Sequence, residues 1–140
     1  MFAADAAARR RAKLAEQQER NRPPSTTVAG ARSEQAAVEL LLASGYRIVE
    51  RNFRVKLGEL DVIAADGDTL VFVEVRSRAD DLHGSAIEAV GYRKQRQVAR
   101  VAEMYLAMRR PTQRRVRFDV VAITGGKAEL IRDAWRMTFR

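Results

Sequence analysis

Residues 58–78 read GELDVIAADGDTLVFVEVRSR, and this stretch decides the fold. Two aliphatic, β-branched runs, Leu60–Ala65 and Leu70–Val75, flank Asp66-Gly67, a dipeptide that favours tight hairpin turns. Strand side chains alternate between faces. Glu59, Asp61 and Ile63 are therefore expected on one face of the first strand, opposite Leu60, Val62 and Ala64. In the second strand Leu70, Phe72, Glu74 and Arg76 share a face. A two-residue turn at Asp66-Gly67 pairs 61 with 72 and 59 with 74, whereas a four-residue loop pairs 61 with 74. These registers differ by two residues, so both leave Asp61 and Glu74 on the same face.

An unpaired carboxylate inside such an apolar hairpin costs several kcal/mol. Here Glu59, Asp61, Glu74 and Arg76 converge at the end of the pair away from the turn. Asp61 and Glu74 offer the hard oxygen ligands that Mg²⁺ or Mn²⁺ prefers, with Arg76 as a fixed positive charge facing the same hollow. A structural salt-bridge cluster, or a solvated sheet rim, would leave the same pattern.

The string GELDVIA…DTLVFVEVRSR, with RNFR before it and RFDVV after it, resembles the YraN family of small bacterial proteins. By fold that family belongs to the PD-(D/E)xK, restriction-endonuclease-like superfamily, close to archaeal Holliday junction resolvases. The resemblance covers most of residues 30–124. It implies an α/β fold: a single restriction-endonuclease-like domain with a central mixed β-sheet flanked by helices. The superfamily signature, an Asp on one strand and (D/E)-x-K on the next, falls on Asp61 and Glu74-Val75-Arg76, with arginine in place of the usual lysine. The resemblance also implies that Glu34, on the first helix of the domain, is a third acidic ligand, and that the Val75 carbonyl supplements the metal site. Its implied activity is metal-dependent hydrolysis of DNA phosphodiesters, with Mg²⁺ or Mn²⁺ and branched or single-stranded substrates. Resolvases act as dimers on two-fold junctions, which extends the resemblance to a homodimer.

Composition bounds the alternatives. A chain of 140 residues that is 46% hydrophobic suits one domain with one core. No apolar run reaches the length of a membrane span, and no apolar leader segment is visible, so the expectation is cytoplasmic residence without a membrane partner. Cysteine is absent, which removes disulfides, thiolate metal sites and cysteine nucleophiles. The lone His83 beside Gly84 reads as a solvent-facing loop residue, and a zinc site lacks ligands. A net charge of +8 and a pI near 10.7 point to a polyanionic partner, nucleic acid above all, with DNA the implied form. Only Lys13, Lys56, Lys94 and Lys127 are lysines among 26 basic residues. Arginine's planar fork suits phosphate, although an arginine-rich codon bias gives the same excess.

Along the chain, residues 1–28 read as a basic tail with a frayed or partner-dependent helix and a Pro23–Thr27 linker; residues 29–140 form the domain. A helix is expected over Ser33–Ala43, stopped by Gly45, and a first strand over Tyr46–Val55. Arg54 on that strand, and Arg78 at the end of the hairpin, are candidate phosphate contacts. Ala79–Ser85 reads as a loop over the site. A long helix is expected from Ala86 to Met108, with Lys94 and Gln95 aimed at a phosphate, as the resemblance implies. A second hairpin, Arg115–Thr124 with Ala128–Arg132, holds Asp119, read as a buried partner for an arginine rather than a ligand. Three functions stay open: a metal-dependent endonuclease, a non-catalytic nucleic-acid-binding module on a nuclease fold, and a basic adaptor for another protein.

Overall fold

A computed structural model describes residues 6–14, 28–78 and 90–136. Residues 6–14 form helix α1. Helix α2 spans Val28–Ala43, strands β1 to β3 span Arg47–Val55, Gly58–Asp66 and Thr69–Arg78, helix α3 spans Tyr92–Arg109, and β4 and β5 span Arg115–Thr124 and Lys127–Trp135. The Pro23–Thr27 linker, His83 with its 79–85 loop, and Phe139 lie outside the described residues.

The five strands form a single sheet in the order β1-β2-β3-β4-β5, antiparallel throughout except for the parallel β3–β4 pair. This is the expected α/β architecture: a mixed sheet flanked by helices. A parallel pair needs a crossover connection, and α3 lies within it. The β2–β3 hairpin closes with Asp66 opposite Thr69, so Gly67 and Asp68 make the turn, with Gly67 at φ 59°. The turn lies one residue beyond the Asp66-Gly67 expected. Val62 faces Val73, which is the register that brings 61 opposite 74.

Alternation then fails at one point. Ile63, Leu70 and Phe72 pack beneath α3 with Val98, Val101 and Tyr105, while Val62, Ala64, Val71 and Val73 pack beneath α2 with Ala37 and Leu41. Leu60, expected beside Val62, instead joins the α3 layer with Phe53 and Val55. The cause lies on the partner strand. Arg51 pairs with Val62 and Phe53 with Leu60, which places Asn52 opposite Asp61, and Asn52 adopts φ 54°. Asparagine is among the few non-glycine residues that tolerate this left-handed region. The β1–β2 ribbon turns a corner there, and Asp61 stands at the corner.

Two other expectations shift. Helix α2 spans from Val28, five residues before Ser33, and tolerates Gly30, since the added turns contain no proline. Glu34 thus lies in the second turn, away from the favourable dipole end. Helix α3 begins at Tyr92 rather than Ala86, since Gly91 is extended and accepts the first helical bond, from Gln95 N–H.

Gly58, at the start of β2, has φ 152°, and a Cβ there would lie 3.1 Å from Gln97 Nε2 and 3.4 Å from Val101 Cγ2. Gln97 Nε2 also donates to the Leu57 carbonyl at 3.0 Å, tying the β1–β2 turn to α3. Gly58→Ala is expected to cost about 1–3 kcal/mol through backbone strain, read as a lowered urea midpoint with an unchanged m-value.

Candidate metal centre and its surroundings

Asp61 and Glu74 come from neighbouring strands where the ladder between them ends. The last paired residues are Val62 and Val73. Beyond that point Val75 N–H donates to Asp61 Oδ2 at 2.8 Å, so a side chain replaces the strand carbonyl that would otherwise accept it. Glu74 is only 5% exposed. Arg76, two residues on, places Nη2 3.5 Å from Glu74 Oε1, and Lys94 reaches the same oxygen from α3 with Nζ at 3.6 Å.

The electrostatics of the pair are unfavourable for two charges. Burial raises the Glu74 pKa to about 7, with the adjacent Asp61 charge adding to the rise and Lys94 and Arg76 opposing it. Asp61 is raised as well, chiefly by burial, with Glu59 and Glu34 contributing and the Val75 N–H and Lys94 opposing. Two cations therefore fail to offset the desolvation of two acids. Both distances to Glu74 exceed a charge-assisted hydrogen bond, and Arg76 Nε is buried without a partner among the described residues. Desolvation thus favours a proton on the pair, a place that a divalent cation can take instead.

This donor set fits a hard divalent cation. Mg²⁺ is commonly bound by one or two carboxylates and completes its shell with water and substrate phosphate. Among the described residues no group of three or more His, Cys, Asp or Glu is set to hold one ion. Glu34, buried at 6% exposure, accepts at Oε1 from Arg51 Nε at 3.0 Å and from Asn52 Nδ2 at 2.7 Å. It stands beside the pair, near enough to raise Asp61, and not within it.

The remaining site residues fall as follows. Arg54 Nε donates to Glu59 Oε2 at 2.9 Å. Gln95 Nε2 donates to the Val90 carbonyl at 2.8 Å, securing the entry to α3. The Arg78 backbone closes β3 opposite Thr124, and its side chain lies outside the described residues. Asn52 is the site neighbour that sequence reading missed. Its one signal was an asparagine interrupting a strand pattern, at RNFRV.

A second acid, Asp119, is buried in register with Val73 on the α2 face of the sheet. Asp119, fully buried, accepts from Tyr46 Oη at 2.7 Å, Arg117 Nε at 2.9 Å, Arg117 Nη2 at 3.0 Å and Asp133 N–H at 2.9 Å. It lies where the β4–β5 register shifts and Asp133 takes φ 53°. Each carboxylate oxygen here is occupied by donors, as expected for a structural ion pair.

No described helix is long and apolar enough to cross a membrane. Comparison with known proteins finds a match to the model of an uncharacterised protein family, UPF0102, over residues 33–123. A UPF0102 protein of Syntrophus aciditrophicus is 44% identical over 114 residues, covering 79% of this chain and 90% of the relative. One from Symbiobacterium thermophilum is 50% identical over 97 residues, covering 69% and 82%, and one from Persephonella marina is 39% identical over 112 residues, covering 80% and 97%.

Proposed function

The chain belongs to the uncharacterised protein family UPF0102, the YraN family, and on that footing we propose that it is a metal-dependent endonuclease acting on DNA, with branched or single-stranded structures as the preferred substrates. The single observation behind this reading is the pairing of Asp61 with the buried Glu74 where the β2–β3 ladder ends, two carboxylates that desolvation makes costly to charge even beside Lys94 and Arg76. In a fold assembled only for stability, such a pair is a cost; at a cation site it is the affinity.

Asp61 and Glu74 would hold Mg²⁺ or Mn²⁺. When bound, the ion supplies a water of lowered pKa and offsets charge developing on the phosphate. A guanidinium is a donor with no lone pair to take a proton, so the part of Arg76 is to hold negative charge in place. Lys94 brings an ammonium to the same carboxylate from α3, on the side where the sheet position itself offers only guanidinium.

Strand cleavage of a supercoiled plasmid and of a four-way junction, with Mg²⁺, with Mn²⁺ and with chelator, tests the proposal. Metal-dependent nicking is the expected result, and the absence of cleavage with either ion on either substrate overturns it. The second reading, a silent nucleic-acid-binding module, draws on the Arg76–Glu74 contact at 3.5 Å. Under the nuclease reading Lys94→Ala lowers the cleavage rate by about 10²–10³-fold, the loss typical of one electrostatic element, while Arg76→Lys retains or raises it. Under the silent reading, Arg76→Lys and wild type are equally inert, and binding remains steeply salt-dependent.

A further inference from the structure

A groove of about 390 Å³ opens between the β1–β2 turn and the first two turns of α3, lined by Leu57, Tyr92, Arg93, Arg96, Gln97 and Arg100. Its two apolar walls are unusual for their exposure: Tyr92 is 67% and Leu57 52% exposed. Neither side chain contributes to the core, and both stand where the β1–β2 turn meets the start of α3. Arg96 lies over the Tyr92 ring at 5.8 Å. Among the described residues no acid is paired with Arg93, Arg96 or Arg100, which follow one helix face over about 10 Å at the usual rise.

The groove and the metal centre share a helix turn. Lys94 faces Glu74, while its neighbours Arg93 and Gln97 face the groove. Gln97 also fixes the Leu57 carbonyl, so the far wall is held in position. A basic track beside an exposed aromatic ring is the arrangement that binds single-stranded nucleic acid, with bases stacking on the ring and phosphates meeting guanidinium. A paired base keeps its faces in the helical stack and has none to offer Tyr92.

Resting on the nuclease reading of the neighbouring site, we propose that this groove receives an unpaired nucleotide flanking the scissile phosphate, its base against Tyr92 and Leu57 and its phosphates against Arg93, Arg96 and Arg100. The groove thereby selects junctions, gaps and single strands over continuous duplex.

Fluorescence anisotropy of the full chain with labelled oligonucleotides in EDTA reads binding without cleavage. A duplex carrying a short unpaired gap is expected to bind about ten-fold more tightly than its fully paired counterpart. Tyr92→Ala brings that ratio close to one and Tyr92→Phe preserves it. Arg93→Ala or Arg100→Ala weakens both probes and lowers the salt slope by about one each. Equal wild-type affinity for the two probes, or a Tyr92→Ala variant that keeps the preference, overturns the assignment. So does a polyglutamate peptide that competes as well as the gapped probe, which would make the groove a dock for acidic protein segments. Gap preference without metal-dependent cleavage removes the nuclease reading and leaves the groove; cleavage indifferent to Tyr92 does the reverse.

Discussion

Glu74→Gln is expected to abolish cleavage and, at pH 8, to make the protein more stable. The two effects have one origin. Burial and the Asp61 charge raise the folded-state Glu74 pKa from 4.5 to about 7, so between those values the folded chain holds a proton that the unfolded chain has released. Stability must therefore fall as pH rises through this window. The full penalty above it is roughly 3 kcal/mol, from the size of the shift. An uncharged amide of the same shape removes that dependence. Wild type and variant should melt together below about pH 4.5, and the variant should melt roughly 10 °C higher at pH 8, where each kcal/mol moves the midpoint of a domain this size by about 4 °C. Mg²⁺ or Mn²⁺ should raise the melting temperature of the wild type alone, and more at pH 8 than at pH 5.5, because protons compete for the same oxygens. Cleavage should fall by about 10³-fold or more with a metal ligand gone. A variant that is less stable than wild type at pH 8 and indifferent to metal would mark Glu74 as an ordinary ion-pair partner of Lys94 and Arg76.

Asp119→Ala should have the opposite profile, with a large loss of stability and an unchanged metal centre. The fully buried Asp119 carboxylate accepts from Arg117, Tyr46 and the Asp133 backbone. Its removal strands an arginine whose pKa is raised chiefly by bonding to it, and orphans a backbone N–H. Breaking one side of a buried pair costs about 3–5 kcal/mol, a drop of more than about 10 °C in melting temperature. Asp119→Asn should lie between, since an amide oxygen can still accept from Asp133. Metal titration at low temperature should match wild type for both variants. A cost below about 1 kcal/mol would show that Asp66, which also accepts from Arg117 Nη2 at 3.0 Å, suffices to hold it.

The central hairpin was legible because both of its runs alternate and its turn residues are strong. Asp61 and Glu74 could be placed on one face before the register was known, as the alternatives differed by an even number. The parallel β3–β4 pairing is longer-range: the resemblance implied a mixed sheet, and no local pattern named the pair that makes it mixed. Leu60 was misplaced because side-chain alternation presumes an uninterrupted strand, and the interruption sits across the sheet, at Asn52. Glu34 was found by resemblance, but its partners Arg51 and Asn52 depend on how α2 lies against that corner, which no local pattern encodes. The early start of α2 was not legible because Gly30, a poor helix former, lies inside it and the apolar stripe is carried by residues after Ser33. Lys94 was expected to face a phosphate; its approach to Glu74 depends on the pose of α3, fixed by Gly58 and Gln97 at the far side of the turn.

The hydrogen bond from Val75 N–H to Asp61 makes the two acids unequal partners. Among the described residues the Glu74 side chain bonds no backbone group, so it can be exchanged for an amide without disturbing the architecture around it. Asp61 doubles as a rung of the sheet, so a lineage or an engineer wishing to silence the chemistry while preserving the scaffold would start with the glutamate, and would replace the aspartate only with a residue that can still accept that rung.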